Sequence, residues 1–216
     1  MAVLNVNPTR MELTNLKRKL QTARKGHKLL KDKRDELMRQ FLELVKENKR
    51  LRAKVEESIR KANMHMSLAC STMSEESVAV ALMLPSQSMN VEICSKNIMS
   101  VNVPEFKPVL RTAQADSVYS YGFAFTSGDL DGAVEALSDA MPDMIRLAEV
   151  EKTCQLLSAE IEKTRRRVNA LEHVMIPDYT DTIKYITMKL DENERSTTAR
   201  LMKIKDMMLE NAHNYK

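Results

Sequence analysis

The residues of this chain that could do chemistry are few and scattered. The stretch "RKGHKLLKDKRDEL", residues 24–37, sets Gly26 and His27 among lysines and arginines and then turns acidic, which makes it the nearest approach to an anion-binding loop. A phosphate cradle, however, needs several glycines between a strand and a helix, or a G-x-x-x-x-G-K-[ST] run, and the sequence holds neither. The other histidines, His65, His173 and His213, lie far apart. So do Cys70, Cys94 and Cys154, whose odd number and long spacings fit no zinc motif and read as ordinary reduced thiols. Carboxylate pairs such as Glu75/Glu76 and Asp191/Glu192 are expected to face water. Catalysis needs a nucleophile, a base and an orienting group gathered in one pocket. No spacing here gathers them, so the expectation is a chain with no catalytic site, cofactor or metal of its own.

The elements that would position such residues are long helices. The 216 residues include no Trp, 4% aromatics, 30% charged residues, 16 Met, four Gly and six Pro. Few rings and few turn-formers cannot easily close a deep core, so a small number of helices burying narrow stripes is the economical solution. The start, "MAVLNVNPTRMEL", lacks a secretory pattern, and no window approaches the roughly 18 apolar residues of a membrane span. The reading is a soluble, cytoplasmic protein without direct membrane insertion.

Charge is unevenly spread. Residues 1–61 carry 18 basic and 8 acidic side chains, residues 62–146 carry 4 and 10, and residues 147–216 carry 12 of each. A basic first third suits an acidic protein groove, an anionic surface or nucleic acid, but the absence of interleaved aromatics leaves bases no stacking platform. No nucleic acid is expected as a partner.

The periodicity is that of a coiled coil. Leu13, Leu16, Leu20, Ala23, His27, Leu30, Arg34, Leu37, Phe41, Leu44, Asn48, Leu51 and Val55 alternate steps of three and four in a single phase. Gly26 therefore lies inside a helix, between seam positions. "NPTRMEL" supplies its start, with Asn7 as cap, Pro8 in the first turn and Glu12 near the positive end of the helix dipole. The second half repeats the ladder: Leu147, Val150, Cys154, Leu157, Ile161, Thr164, Val168, Leu171 and Met175. After Pro177 the pattern resumes one residue out of phase as Ile183, Ile186, Leu190, Asn193, Thr197, Arg200, Ile204 and Met207, which predicts a kink or local unwinding. Two such helices, each ~80 Å long, pair most simply as an antiparallel hairpin.

The middle differs. "MNVEICSKNIMSVNVP" alternates, with Val91 and Ile93, then Met99, Val101 and Val103, on one face of two short runs separated by "CSKNI" and closed by Pro104 and Pro108. "VYSYGFAF" holds Tyr119, Tyr121, Phe123 and Phe125, rings that either dock the loop or anchor a partner. "TSGDLDGAVEAL" restarts the helix, with Ser127 or Asp129 as cap. The expected fold class is thus mainly α, a long antiparallel two-helix coiled coil with a small β-hairpin region. Residues 1–75 form the first helix, 76–127 the middle and 128–216 the second helix, kinked near Pro177. Arg165, Arg166 and Arg167 wrap most of a helix circumference, so at least one is expected to approach the seam or a partner.

"NPTRMELTNLKRKL", "GHKLLKDKRDEL", "RRRVNALEHVMIP" and "LDENERSTTARLMKIK" strongly resemble the central-stalk D subunit of V-type and A-type rotary ATPases, over roughly residues 5–61 and 146–205. In the middle only "KNIMSVNVP" matches closely. The resemblance implies a non-catalytic rotor shaft in a ring of alternating catalytic A and non-catalytic B subunits. It further implies a stalk partner, the F subunit, and a funnel-shaped subunit joining the shaft to the membrane ring that carries H+ or Na+. Residues implied to meet the hexamer are Arg10, Lys28, Lys33, Arg34, Arg165, Arg166, Arg167, Asn169 and Glu172. Residues implied to meet the stalk partner are Val101, Val103, Tyr119, Tyr121, Phe123 and Phe125. The assembly would hold the chain at the cytoplasmic face, peripheral to the membrane. A prefoldin-like chaperone and a basic coiled-coil nucleic-acid binder are the competing readings.

Overall fold

A computed structural model describes residues 4–112, 118–124 and 126–214. Helix α1 runs Arg10–Thr72, a short α2 covers Glu75–Ala81, strands β1 (Gln87–Ile98) and β2 (Val101–Thr112) follow, and α3 spans Gly128–Ala170. A π-helical turn, Leu171–Met175, links α3 to α4, Ile176–Asn214. The chain is mainly α, as its periodicity predicts, and divides into two compact units: Met1–Arg34 with Glu162–Lys216, and Asp35–Ile161.

Helix α1 starts later than the sequence suggests. The cap is Thr9, whose hydroxyl accepts from the Glu12 N–H at 3.2 Å while its carbonyl accepts from Leu13, so the cap role expected of Asn7 is not used. Pro8 then precedes the cap, where its missing N–H costs nothing. At the start of α3 the expected Ser127 cap is present, with its hydroxyl accepting from the Asp129 N–H at 3.3 Å.

In the first unit the helices run antiparallel, since Arg10 pairs with Glu194 and His27 with Glu172. Leu16, Ala23, Val168, Thr164 and Ile186 are buried there, and Leu13, Leu20, Leu30, Leu171, Ile183 and Leu190 are half-buried. The Leu4 N–H donates to the Thr182 hydroxyl at 3.1 Å and ties the approach to α1 onto α4. The predicted seam is broken at Met175, which is exposed, and fails again beyond Leu190: Asn193, Thr197, Arg200, Ile204 and Met207 are all exposed. Beyond Leu190 the reason is length, because α1 begins at Arg10, which meets Glu194.

The second unit is also an antiparallel helix pair. Lys54 meets Asp143 at 2.7 Å and Arg146 meets Glu47 at 2.9 Å. Leu37, Leu157 and Ile161 form one core, with Phe41, Leu44, Met99 and Val101 packed against it. Leu51 and Val55 continue the buried stripe, and Ala62 and Ala69 extend it beyond the predicted ladder. Ala69, Ala81 and Leu130 make a second core with Met66, Met73 and Tyr121. Small α2, capped by Ser74, closes this end. It occupies the stretch where the helical period was expected to fail.

The hairpin exists but is longer and turned elsewhere than predicted. Its strands pair from Gln87↔Thr112 to Ile98↔Val101, so "CSKNI" lies within β1 and the turn is Met99–Ser100. Both turn residues have positive φ, 48° and 73°, a geometry that neither Met nor Ser advertises. Pro104 and Pro108 sit inside β2 and do not close it. Register also splits the predicted apolar face: Ile98, Val101 and Val103 share one face of the sheet, while Val91 and Ile93 share the other with Pro104, Phe106 and Pro108.

Gly26 illustrates what a helix-interior glycine costs. A Cβ there would meet nothing within 4 Å, so Gly26→Ala is expected to stabilise the chain by about 1 kcal/mol. Thermal melts of the two proteins check this.

Candidate functional site

The hexamer-contact candidates fall in the first unit, on α1, on the end of α3 and on the π turn. Arg10, Lys28, Arg165, Arg166, Arg167, Asn169 and Glu172 are exposed, whereas Lys33 and Arg34 are half-buried. Arg34 occupies its seam position, as the ladder requires. None of the three consecutive arginines enters the seam, which corrects one expected alternative: Thr164 and Val168 bracket them and take the buried positions. Arg166 pairs with Glu162 one turn back. On the exposed surface such i,i+4 pairs contribute only tenths of a kcal/mol. The three arginines therefore stay accessible to an anionic partner. Across the pair, His27 Nε2 stands 3.3 Å from the Glu172 carboxylate, which ties a polar seam residue to a candidate contact residue at the π turn.

The stalk-partner candidates lie in the second unit and divide by burial. Val103 is buried, and Val101 packs on the Leu37–Leu157–Ile161 core. Their side chains are thus spent inside the chain, because they lie on the inward face of the hairpin. Tyr119 and Tyr121 are half-buried with ring centroids 6.0 Å apart. The Tyr121 hydroxyl donates to the Asp131 carboxylate at 2.8 Å. Burial first, and the Asp131 carboxylate second, hold the Tyr121 phenol far above its ordinary pKa. Phe123, by contrast, is 87% exposed. Phe125 lies outside the described residues. Exposed Ile93 and Val91 on β1, and Met38, Leu42 and Val45 along α1, form apolar surface that the aromatic loop did not foretell. The last three were legible as a stripe beside the seam, one residue after Leu37, Phe41 and Leu44.

Little in the geometry resembles a reaction centre. Among the described residues, no three His, Cys, Asp or Glu side chains are grouped to hold a metal ion. The thiols of Cys70, Cys94 and Cys154 are free, and burial pushes the Cys154 thiol up, away from reactivity. His65 holds a buried Nδ1 with no hydrogen-bond partner, close enough to Gly132 that a Cβ there would stand 3.3 Å from it. An open cleft of about 410 Å³ beside the hairpin base is lined by Leu82, Pro85, Met89, Val134, Leu137 and Met141 among others. Its lining offers a binding surface without general acids or bases. No helix among the described residues is long and apolar enough to cross a membrane.

Paired antiparallel helices with a polar seam, exposed cationic clusters and a two-stranded hairpin define a mainly helical chain of the coiled-coil type. The chain belongs to the ATP synthase D-subunit family, whose model matches residues 12–206. It is 61% identical over 216 residues to the V-type ATP synthase D subunit of Acetivibrio thermocellus, covering 100% of this chain and 97% of that protein. It is 60% identical over 212 residues to the protein of the same description from Clostridioides difficile, covering 98% and 95%. Over 209 residues it is 53% identical to the V-type ATP synthase D subunit of a Thermoanaerobacter species, covering 97% and 99%.

Proposed function

We propose that this chain is the non-catalytic central rotor shaft of a V-type or A-type ATPase. It couples ATP hydrolysis or synthesis in a ring of A and B subunits to rotation of a membrane ring and to transport of H+ or Na+. The observation that carries the reading is the family match over residues 12–206, with relatives described as V-type ATP synthase D subunits at 53–61% identity. The shaft binds the F subunit of the stalk and a funnel-shaped subunit, and works at the cytoplasmic face of the membrane. Nucleotide chemistry belongs to the surrounding ring.

The physics of the role fits the surface. A shaft that stands off-centre presents a different side to each site of the ring, so its rotation biases one site toward closure while another opens. Contacts that are strong at one angle must not trap the rotor there. Exposed charged and amide side chains on a rigid helix pair, Arg10, Lys28, Arg165 to Arg167, Asn169 and Glu172, meet that condition better than a large apolar patch. Lys33 and Arg34 extend the basic surface, and Phe123, with Tyr119 and Tyr121, is the candidate for stalk contacts.

The test is purification of the tagged chain in mild detergent followed by native mass spectrometry. One copy per ring of three catalytic and three non-catalytic subunits is the expected stoichiometry; recovery alone, or with nucleic acid or unfolded clients, overturns the reading. Within the assembled complex, reversing Arg165, Arg166 and Arg167 to Glu is expected to cut ATP-driven ion transport by about tenfold or more, equivalent to about 1.4 kcal/mol of lost coupling. Transport at the normal ratio to ATP turnover would remove these arginines from the contact surface.

A further inference from the structure

The two edges of the hairpin are treated differently. Positive φ at both Met99 and Ser100 marks a type I′ turn. In a hairpin closed this way the flanking pair, Ile98 and Val101, exchanges both backbone hydrogen bonds, and bonded and non-bonded pairs then alternate along the ladder. The main-chain groups of Asn90, Glu92, Cys94 and Lys96 therefore point inward to β2. Those of Val91, Ile93 and Ser95 point outward, as do those of Pro104, Phe106 and Pro108 on the other strand.

Strand β2 carries obstructions at each of these outward positions. Pro104 and Pro108 have no N–H to offer, and their presence independently supports the parity, since proline is tolerated only where a strand faces away from its partner. Between them the Phe106 N–H donates to the Glu149 carboxylate of α3 at 3.2 Å. Strand β1 has none of these devices. It holds no proline from Gln87 to Ile98, and among the described residues none hydrogen-bonds the outward main-chain groups of Val91, Ile93 or Ser95. Natural sheets normally protect such an edge. Here one edge is closed three times over and the other is left open.

We propose that the outer edge of β1 receives an extended segment of another subunit of the same assembly, which adds to the hairpin as a third strand. This rests on the assembly role proposed above. A row of backbone donors and acceptors with a two-residue repeat is matched by another extended backbone, not by a helix, a lipid or a nucleic acid. Side chains define the occupant further. Beside the edge, Ile93 is 72% exposed, and Val91 and Pro108 are exposed with it, so the incoming strand carries apolar residues on that side. The opposite face presents exposed Glu92 and Lys96, so its alternate residues are polar. A strand of about five or six residues spans the open stretch.

Residue-resolved hydrogen exchange tests this on the full chain alone and in the purified, intact ATPase. In the free chain the inward amides of Asn90, Glu92, Cys94 and Lys96 are protected by β2, while those of Val91, Ile93 and Ser95 exchange openly. In the assembly the latter three are expected to slow by about tenfold or more. Ile93→Pro removes one outward N–H without touching the ladder and is expected to abolish the slowing at Val91 and Ser95; Ile93→Ser keeps the N–H and is expected to retain it. Unchanged exchange in an assembly that contains the chain overturns the inference and leaves the proposed function standing. A chain that never assembles overturns the function itself. Concentration-dependent protection of these amides in the free chain identifies a second copy as the occupant, against the proposal.

Discussion

Replacing Leu37 with alanine is expected to lower the stability of the second unit by about 3 kcal/mol, within the roughly 2–5 kcal/mol typical of fully buried leucines. Leu37 has no exposed surface, and it packs with Leu157, Ile161, Phe41, Leu44, Met99 and Val101. The void left by the smaller side chain borders two helices and the hairpin turn, and three elements cannot all collapse into it together. The same substitution at Leu29, which is 69% exposed, should fall within about 0.5 kcal/mol. Urea midpoints at matched m-values separate the two variants. Exchange of the Val101 amide, faster in Leu37→Ala alone, would show that the core also anchors the hairpin. Equal midpoints would mean that the seam is not where the stability lies.

Most of this architecture could be read from single residues at fixed spacing. All thirteen seam positions from Leu13 to Val55 are buried or half-buried, because a 3.5-residue repeat leaves a helix only one way to face its neighbour. What escaped was set by tertiary context. Asn193, Thr197, Arg200, Ile204 and Met207 keep the repeat, yet they are exposed, because α1 begins at Arg10, which meets Glu194 at the start of that stretch; a ladder shows a stripe without showing where its partner ends. The hairpin turn escaped for another reason. Met99 and Ser100 adopt positive φ without glycine or asparagine, so the local chemistry pointed to "CSKNI", the end of β1 just before the turn. Of the candidate site, the exposure of the three arginines followed from their neighbours Thr164 and Val168, which held the seam. The inward orientation of Val103 followed from a register that alternation alone could not fix.

The single-residue phase shift near Pro177 has the second large consequence. Upstream of it the seam steps 161, 164, 168 and 171; downstream the buried residues are Thr182 and Ile186, with Ile183 and Leu190 half-buried. The π turn Leu171–Met175 lies between these segments. A π turn holds one residue more than the α-helical turn it replaces, so the extra residue is absorbed locally and both flanks keep their faces on α1. Deleting exposed Val174 should therefore convert the π turn to α-helix, leave Ile186 buried, and change stability by no more than about 1 kcal/mol. Deleting Lys184, also an exposed residue, has no bulge to remove. It rotates everything beyond it by about 100°. Ile186 and Leu190 then turn toward water, at a cost of about 3 kcal/mol or more. Thermal melts followed by circular dichroism should thus show near-native unfolding for the Val174 deletion and marked destabilisation for the Lys184 deletion. If the two deletions were equally damaging, the π turn would be more than a register device, and its shape, beside Glu172 and the arginine cluster, would itself be required for folding.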